Sequence, residues 1–317
     1  MNSETNSSQT LSSLLDSEVL AVGNVACSID QLALPLSSSN ESDYNSVMHS
    51  LYGSDFIYGS LVHKAIFRRK SHSRDTDATH ERTALGRQGD DRSNKLLIKT
   101  SAFVSTSMFD KKNQQMCYAE LFSPTSSGGF SITTFSLTGR EMVTGKIQVP
   151  LRRKLHHLHP FSTWFSAEPV DSGVHVVFRA RFHRSESDGL CSPKVMNARL
   201  WKIVQGVCKL GKLVDSRAQQ PRRLKSNANH VAASGPRNSR CIVCTRTLCH
   251  IFMTRSCRRC ELCSYNVCSA CCSPQHVTIY NRHVAPLLVC ARCRESVARE
   301  DFDSQLRAVY PPGSVKI

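Results

Sequence analysis

Eight cysteines near the C-terminus form four C-x2-C pairs, a spacing that suits metal binding. The pairs are Cys241/Cys244, Cys260/Cys263, Cys268/Cys271 and Cys290/Cys293. A C-x2-C turn places two thiolates on one ion, and a structural zinc ion takes four tetrahedral ligands. Four pairs therefore predict two closed zinc sites. With four thiolates at each ion, no open position remains for water or a substrate, so the predicted role is structural.

The cysteine usage favours metal-bound thiols over disulfides. Fifteen of the 317 residues are cysteine, and eleven of them lie between Cys241 and Cys293. The N-terminal stretch MNSETNSSQTLSSLLDSEVL has neither a basic n-region nor a continuous apolar h-region, which argues against a secretory signal. No apolar run approaches the length of a bilayer span. We therefore expect an intracellular, cytoplasmic protein in reducing surroundings.

The order of the pairs, C-x2-C-x15-C-x2-C-x4-C-x2-C-x18-C-x2-C, resembles the FYVE-type zinc finger. The pairs of that family bind two Zn²⁺ ions in cross-brace fashion, and the resemblance implies the same ligand sets here. Cys241, Cys244, Cys268 and Cys271 would hold one ion, and Cys260, Cys263, Cys290 and Cys293 the other. RING fingers also cross-brace, but they usually carry a histidine among the central ligands and a tighter gap. A RING-type ubiquitin ligase stays open as an alternative.

Cys257 leaves the ligand assignment ambiguous. Cys257/Cys260 is also a C-x2-C pair, and its use would shorten the first gap to twelve residues and lengthen the next to seven. It would also place Arg258 and Arg259 inside a chelating turn. The preferred assignment uses Cys260/Cys263 and leaves Cys257 as a spare thiol.

Basic residues precede the third ligand of the finger. FYVE fingers carry R-(R/K)-H-H-C-R around this ligand, and the family uses it to bind phosphatidylinositol 3-phosphate. The matching stretch here is TRSCRRCE, residues 254–261. Arg255, Arg258 and Arg259 keep positive charge next to Cys260, and arginine suits bidentate contacts with phosphate. The resemblance therefore implies that these three arginines bind a lipid head group.

The same stretch departs from the family pattern. Arg258 and Arg259 replace the two histidines, and Glu261 replaces the arginine after the cysteine. The family also has a W-x-x-D motif ahead of the first pair, and this motif is absent from AASGPRNSRC. Its R-V-C motif at the last pair is replaced here by LVC, with Leu288 in place of arginine. The expected partner is therefore a phosphoinositide-containing or, more generally, an anionic membrane. The alternative is a zinc-stabilised protein-interaction scaffold that binds no lipid; the sequence indicates no particular protein partner.

Strand patterns come before the finger. The segments DFIYGSLVHKAIF, KLLIKTSAFV, QMCYAELF and GFSITTFSLTG are rich in β-branched and aromatic residues. SGVHVVFRARFHRS alternates, which places five apolar side chains on one face: Val174, Val176, Phe178, Ala180 and Phe182. Such alternation is typical of an antiparallel sheet with one face on a core. The stretch LHHLHPFSTW, with Pro160 after its histidines, predicts an exposed turn.

A helical pattern follows the strands. In NARLWKIVQGVCKLGKLVD the apolar residues recur at steps of three and four from Leu200 to Leu213. Arg199 and Lys202 fall mostly off this stripe. Several antiparallel strands and one long amphipathic helix to cover them predict an α+β layer.

This order resembles the START-like (helix-grip) domains, with DFIYGS at the entry and ARLWKIVQGVCKLGKLVD at the exit. In that family a curved antiparallel sheet wraps a C-terminal helix around a lipid-sized cavity. The resemblance implies an α+β fold with a START-like domain that holds an apolar ligand, followed by the small cross-brace finger.

Composition predicts the domain boundaries. Residues 1–50 hold thirteen serines and no Lys or Arg, which is typical of a disordered segment. The START-like domain would span 51–219, and the polar, basic stretch 220–239 would be a linker. The finger would occupy 240–298, and 299–317 would be the end of a closing helix and a tail.

The charge of the chain favours an acidic partner. The net charge is +16, and no Lys or Arg occurs before Lys64, so the remainder is strongly basic. Nucleic acid fits less well than a membrane, because aromatic residues make up 7% of the chain and neither the RRM signature nor C2H2 spacing is present.

Nothing in the sequence points to catalysis. It contains no G-x-G-x-x-G, no G-x-x-x-x-G-K-[ST] and no G-x-S-x-G motif. The two resemblances together imply a non-catalytic, lipid-associated protein. Its finger would contact an anionic membrane face, such as that of an endosome.

Overall fold

The computed structural model describes residues 17–68, 93–107, 112–137, 155–158, 160–183, 192–226, 238–248, 257–278 and 284–295. Arg255, the tail 299–317 and residues 1–16 lie outside this part of the chain. No helix among the described residues is long and apolar enough to cross a membrane.

The large sheet of the protein has eight strands. They are β1 Ser17–Val25, β2 Phe56–Arg68, β3 Ser93–Phe103, β4 Asn113–Pro124, β5 Phe130–Ser136, β6 Leu155–His157, β7 Phe161–Val170 and β8 Gly173–Phe182. Seven of them pair antiparallel in the order β1-β8-β7-β5-β4-β3-β2, and β6 pairs in parallel with β4. The predicted antiparallel sheet is thus confirmed, and β1 and β2 are its edge strands.

One face of the sheet, called here the inner face, carries the core. The five apolar side chains predicted to share a face of β8 are all buried, between 0% and 6% exposed. Aromatic residues of the neighbouring strands join them, with Phe130, Phe161 and Phe165 in the same cluster. Burial of this apolar area is the main force that closes the domain.

In the described part of the chain four helices accompany the sheet: α1 Ile29–Leu36, α2 Glu41–Tyr52, α3 Pro193–Val207 and α4 Leu210–Ser226. The predicted single helix is therefore two, interrupted at Cys208 and Lys209. The predicted linker 220–239 is wrong in its first part, because α4 continues to Ser226. The C-terminal half of α4 is rich in Gln, Arg, Leu and Lys, which are good helix formers.

The prediction that residues 1–50 are disordered is wrong for residues 17–50. β1 pairs with β8 along its whole length, from Ser17 opposite Phe182 to Val25 opposite Val174. The polar residues that suggested disorder act as helix caps instead. Ser28 forms a capping box at α1, and Asn40 caps α2 by accepting a hydrogen bond from the Asp43 N–H at 2.8 Å.

The stretch LHHLHPFSTW is not an exposed turn in its described part. Leu155–His157 forms β6, and β7 begins at Phe161. Leu158 and Phe161 are only 1% and 3% exposed, so they anchor this segment in the core. In the sequence, the histidines and the proline obscured the strand pattern of this stretch.

The cysteine-rich segment forms two short hairpins. β9 Cys257–Arg259 pairs with β10 Asn266–Cys268, and β11 Cys272–Thr278 pairs with β12 Val284–Cys290. Residues 291–295 are helical.

The finger packs on the outer face of the large sheet, at the end where β2 begins and β3 ends. One apolar cluster joins residues of both parts: Ile57, Tyr58 and Ala102 from the sheet, and Ile242, Val243, Leu248 and Val267 from the finger. Asn113 Nδ2 also donates to the Thr245 carbonyl oxygen at 3.1 Å. The finger is therefore docked on the sheet.

Candidate metal centres and ligand cavity

Two groups of four cysteines come together in the finger. Cys241, Cys244, Cys268 and Cys271 form the first group, and Cys260, Cys263, Cys290 and Cys293 form the second. Within each group all Sγ atoms lie within 4.8 Å of one another. The membership of both groups is the one that the cross-brace resemblance implied. Each group could hold one metal ion.

The sulfur spacing in each group matches the geometry of a tetrahedral zinc site. Two thiolates bound to one zinc ion at about 2.3 Å are roughly 3.8 Å apart. The Sγ atoms of Cys244 and Cys268 are 3.6 Å apart, and those of Cys263 and Cys290 are 3.9 Å apart. Each of these distances joins two different C-x2-C pairs. Four sulfur donors at this spacing fit a closed Zn²⁺ site.

The first two pairs adopt the same turn. The Thr245 N–H donates to the Cys241 carbonyl oxygen at 2.8 Å, and the Ser264 N–H donates to the Cys260 carbonyl oxygen at 2.9 Å. Thr245 and Ser264 have φ angles of 58° and 62°, in the left-handed region that β-branched threonine rarely adopts. Such backbone persists where the surrounding structure holds it in place, and ligation of one ion by both cysteines of a pair would do this.

Cys257 lies outside both groups, so the alternative ligand assignment is not the one that the structure adopts. Cys257 instead faces Cys268 across the β9–β10 ladder. Burial and the neighbouring Cys268 raise the pKa of the Cys257 thiol. Burial, with smaller contributions from Cys260 and Cys290, also raises the pKa of Cys272 to about 11. The thiols of Cys257 and Cys272 are therefore protonated at neutral pH.

The candidate lipid-binding arginines are only partly brought together. Arg258 and Arg259 are exposed on β9, where successive side chains point to opposite faces. Arg259 Nε donates to the Ser264 carbonyl oxygen at 3.1 Å. Arg255 lies outside the described residues.

The structure brings together two positions at which the family pattern has arginine. The Glu261 N–H donates to the Leu288 carbonyl oxygen at 2.9 Å, and the Leu288 N–H donates to a Glu261 carboxylate oxygen. An acidic side chain, Glu261, therefore lies directly beside Leu288. This arrangement repels an anionic head group at that point.

A cavity lies between the inner face of the sheet and the helices. Its volume is about 160 Å³. Most of the wall is apolar, with contributions from α1, α2, the strands and α3. Examples are Leu36, Met48, Leu51, Phe103, Met116, Phe165, Phe178 and Ile203.

A buried ion pair interrupts this apolar wall. Lys99 Nζ lies 2.5 Å from Glu120 Oε1, and the two side chains are only 3% and 12% exposed. The same ammonium group lies 4.7 Å from the centroid of the Tyr44 ring. Lys99 has three donors and Glu120 several acceptor sites, so the pair can also bond a ligand.

Three hydroxyl groups form a triangle beside the ion pair. The Tyr44 hydroxyl oxygen lies 2.5 Å from Ser101 Oγ and 2.7 Å from the Tyr118 hydroxyl oxygen, and the last two are 3.1 Å apart. Burial raises the pKa of both tyrosines, so the hydroxyls are neutral at physiological pH. The cavity thus has one polar end, made of an ion pair and three hydroxyls.

Sequence reasoning missed this polar end. The signal is present in KLLIKTSAF, because Leu97, Lys99 and Ser101 fall on one face of a strand by alternation. Leu97 is 0% exposed, so its partners on that face also point inward. A lysine in phase with buried leucine indicates a buried cation.

One serine–histidine pair resembles a nucleophile with its base, but its protons are arranged the wrong way. Ser162 Oγ and His183 Nε2 are 2.8 Å apart. Arg181 Nε donates to His183 Nδ1 at 3.2 Å, which makes Nδ1 the acceptor nitrogen and leaves the proton on Nε2. A general base must accept the hydroxyl proton. In this arrangement His183 Nε2 donates to Ser162 Oγ.

No family model matches the sequence, and no curated protein matches it either. Several solved structures are similar. One is a STAR-related lipid transfer protein fragment from Xanthomonas axonopodis, at 11% identity, covering 62% of this chain and 85% of that chain, with a TM-score of 0.39. Human STARD10 is similar at 10% identity, covering 67% of this chain and 68% of that chain, with a TM-score of 0.36. TTHA0849 from Thermus thermophilus is similar at 11% identity, covering 63% of this chain and 98% of that chain, with a TM-score of 0.34. At these values the ligands of those proteins do not transfer to this chain.

Proposed function

We propose that the protein is a non-catalytic, lipid-associated protein that binds an apolar ligand with one polar group in its cavity. The observation that carries this proposal is the Lys99–Glu120 pair at the wall of an otherwise apolar cavity. Removing two charges from water costs several kcal/mol per ion unless further hydrogen bonds satisfy them. A ligand hydroxyl or carbonyl group at this end would supply such a bond. The resemblance to START-like domains agrees with a ligand of this kind.

We expect a bulkier side chain in the cavity to exclude the ligand. Thr134 lies in the wall and is 6% exposed. Thr134→Phe should raise the Kd of a fluorescent polyene fatty acid or fluorescent sterol about tenfold or more, because overpacking costs roughly 1–3 kcal/mol. Fluorescence titration measures the change.

Thr133→Phe is the matched control, because Thr133 lies next to Thr134 on β5 and points to the outer face by alternation. This control should bind both probes like the unmodified protein. Equal loss in the two variants would show that the probes do not occupy the cavity.

The finger is proposed to contact an anionic membrane on the cytoplasmic side. Its exposed Arg258 and Arg259 and the basic chain support attraction to acidic lipid, at about 1 kcal/mol per arginine. Glu261 beside Leu288 favours attraction by charge over selective recognition of phosphatidylinositol 3-phosphate. Two Zn²⁺ ions are proposed to be the metals that shape this surface.

We expect the zinc-loaded protein to sediment equally with vesicles that contain phosphatidylinositol 3-phosphate or an equal charge of phosphatidylserine. Arg258→Ala with Arg259→Ala should weaken this binding about tenfold or more while both zinc ions stay bound.

Each other outcome has a definite meaning. A clear preference for the phosphoinositide would show that these arginines suffice for selective recognition and would support an endosomal location. Unchanged sedimentation of the double variant would remove these arginines from the membrane contact. Binding to neither vesicle would leave a zinc-stabilised scaffold for a protein partner.

A further inference from the structure

Tyr58 lies where the finger meets the edge of the large sheet. It belongs to the edge strand β2 and is only 6% exposed. Its ring centroid is 5.0 Å from that of Tyr265, with the two rings perpendicular, and 4.1 Å from the guanidinium carbon of Arg292. An edge-to-face ring pair and a cation over the same ring each contribute about 0.5–1.5 kcal/mol.

Both of these partners lie next to cysteines of the second group. Tyr265 follows Cys263 by two residues, and its carbonyl oxygen accepts the Cys260 N–H at 3.0 Å. Arg292 lies between Cys290 and Cys293. A metal ion bound by this group would join the two turns and fix both partners. The contact with Tyr58 therefore depends on the geometry of this one metal site.

The hydroxyl of Tyr58 reaches in the other direction, to α2. It donates to Glu41 Oε1 at 2.6 Å, and Glu41 Oε2 accepts the Leu61 N–H at 3.0 Å. Glu41 is the first residue of α2. One carboxylate thus joins the start of this helix to the edge strand, and the Tyr58 ring in turn contacts the finger.

The helix α2 is a wall of the cavity. Val47, Met48 and Leu51 line it, and Tyr44 belongs to the hydroxyl triangle. The helix is also held tightly against β2, because Asn45 exchanges two hydrogen bonds of 2.9 Å with the backbone of Gly59.

Helix α2 packs closely against β2 at Gly59. A Cβ atom on Gly59 would lie 2.3 Å from Cε1 of Tyr44. A displacement of α2 against β2 would therefore move Tyr44 and with it the polar end of the cavity.

We infer that metal binding by the second cysteine group and ligand binding in the cavity are coupled through Tyr58 and Glu41. The metal-bound finger holds Tyr58, Tyr58 holds the start of α2, and α2 is then pre-organised for the ligand. Pre-organisation raises affinity by removing the cost of ordering the site. The coupling is reciprocal, so the ligand must raise zinc affinity by the same factor. This inference rests on the proposed function of the cavity.

The test uses the full-length protein and the fluorescent polyene fatty acid as the probe. The Kd of the probe is measured with both zinc ions bound and again after chelation of the zinc. The same two measurements on the Thr134→Phe variant show how much probe binds outside the cavity. We expect the zinc-loaded protein to bind about five- to tenfold more tightly, in the usual range of coupling between sites. Circular dichroism of the chelated protein checks that the large sheet stays folded.

Tyr58→Phe separates coupling from folding. It keeps the ring that contacts Tyr265 and Arg292 and removes only the hydroxyl that bonds Glu41. We expect this variant to keep both zinc ions and to show nearly the same probe Kd with and without zinc. Tyr265→Phe is the matched control: it keeps the ring contact and should retain the unmodified ratio of Kd values.

The outcomes distinguish this inference from the function on which it rests. Probe binding that ignores zinc in the unmodified protein would overturn the coupling and leave the ligand cavity intact. No probe binding in any form would overturn the cavity function itself. A Tyr58→Phe variant with the unmodified ratio would overturn the route through Tyr58. If chelation unfolds the sheet, the affinity for zinc is measured instead, with and without the probe. The coupling then requires that the probe raise zinc affinity in the unmodified protein but not in Tyr58→Phe.

Discussion

Replacing Cys290 with serine should remove one zinc ion from each chain and unfold the second half of the finger. Cys290 is 0% exposed, and its Sγ is 3.9 Å from that of Cys263. Structural zinc contributes on the order of 10–16 kcal/mol to the folding of small fingers, far more than the sparse apolar core could replace. Zinc content should fall from two ions per chain to one or fewer, as measured by mass spectrometry of the metal.

Cys257→Ser is the matched control for this prediction. Cys257 is a cysteine of the same segment that lies outside both groups, and it should keep two zinc ions when changed. Loss of zinc in the Cys257→Ser variant, with zinc retained in a Cys263→Ser variant, would restore the alternative assignment of the third pair. The two variants thus decide the ligand set without any assay of function.

Arg199→Met should destabilise the large domain by about 3–5 kcal/mol, the usual cost of breaking a buried ion pair. Arg199 is 0% exposed on α3. Its guanidinium group donates to Asp55 Oδ2, to Gln114 Oε1 and to the Val104 carbonyl oxygen, each at 2.6 Å. The substitution leaves these three acceptors without their shared donor inside the protein. Urea unfolding measures the change in the free energy of unfolding.

Lys202→Met is the control for the Arg199 prediction. Lys202 Nζ lies 2.9 Å from the other carboxylate oxygen of Asp55, but its side chain is 42% exposed. Exposed ion pairs contribute about 1 kcal/mol or less, so this variant should unfold almost like the unmodified protein. Similar losses in both variants would mean that the charge of Asp55, and not the buried network, carries the stability.

Local patterns predicted the C-x2-C pairs and five of the strands of the large sheet. The C-x2-C pairs are local turns whose geometry follows from their own spacing, and the family resemblance implied which pairs come together. The alternation of β8 also predicted its buried face, since a strand that packs on a core must place every second side chain there. In contrast, the serine-rich composition of residues 1–50 hid a strand and two helices. Their apolar positions are few, and they are stabilised mainly by contact with residues far along the chain.

The sequence by itself determined the C-x2-C pairs and the antiparallel, helix-covered layer, because each depends on spacing over a few residues. Only the tertiary structure decided the roles of Lys99, Arg199 and Tyr58. Arg199 lies off the apolar stripe of its helix and is nevertheless buried, and Lys99, which alternation places on the buried face of β3, finds its partner Glu120 on another strand. Arg199 meets Asp55 across 144 residues of sequence, and Tyr58 joins a cavity helix to a turn of the second cysteine group. Contacts of this range have no local pattern, so only the folded chain reveals them.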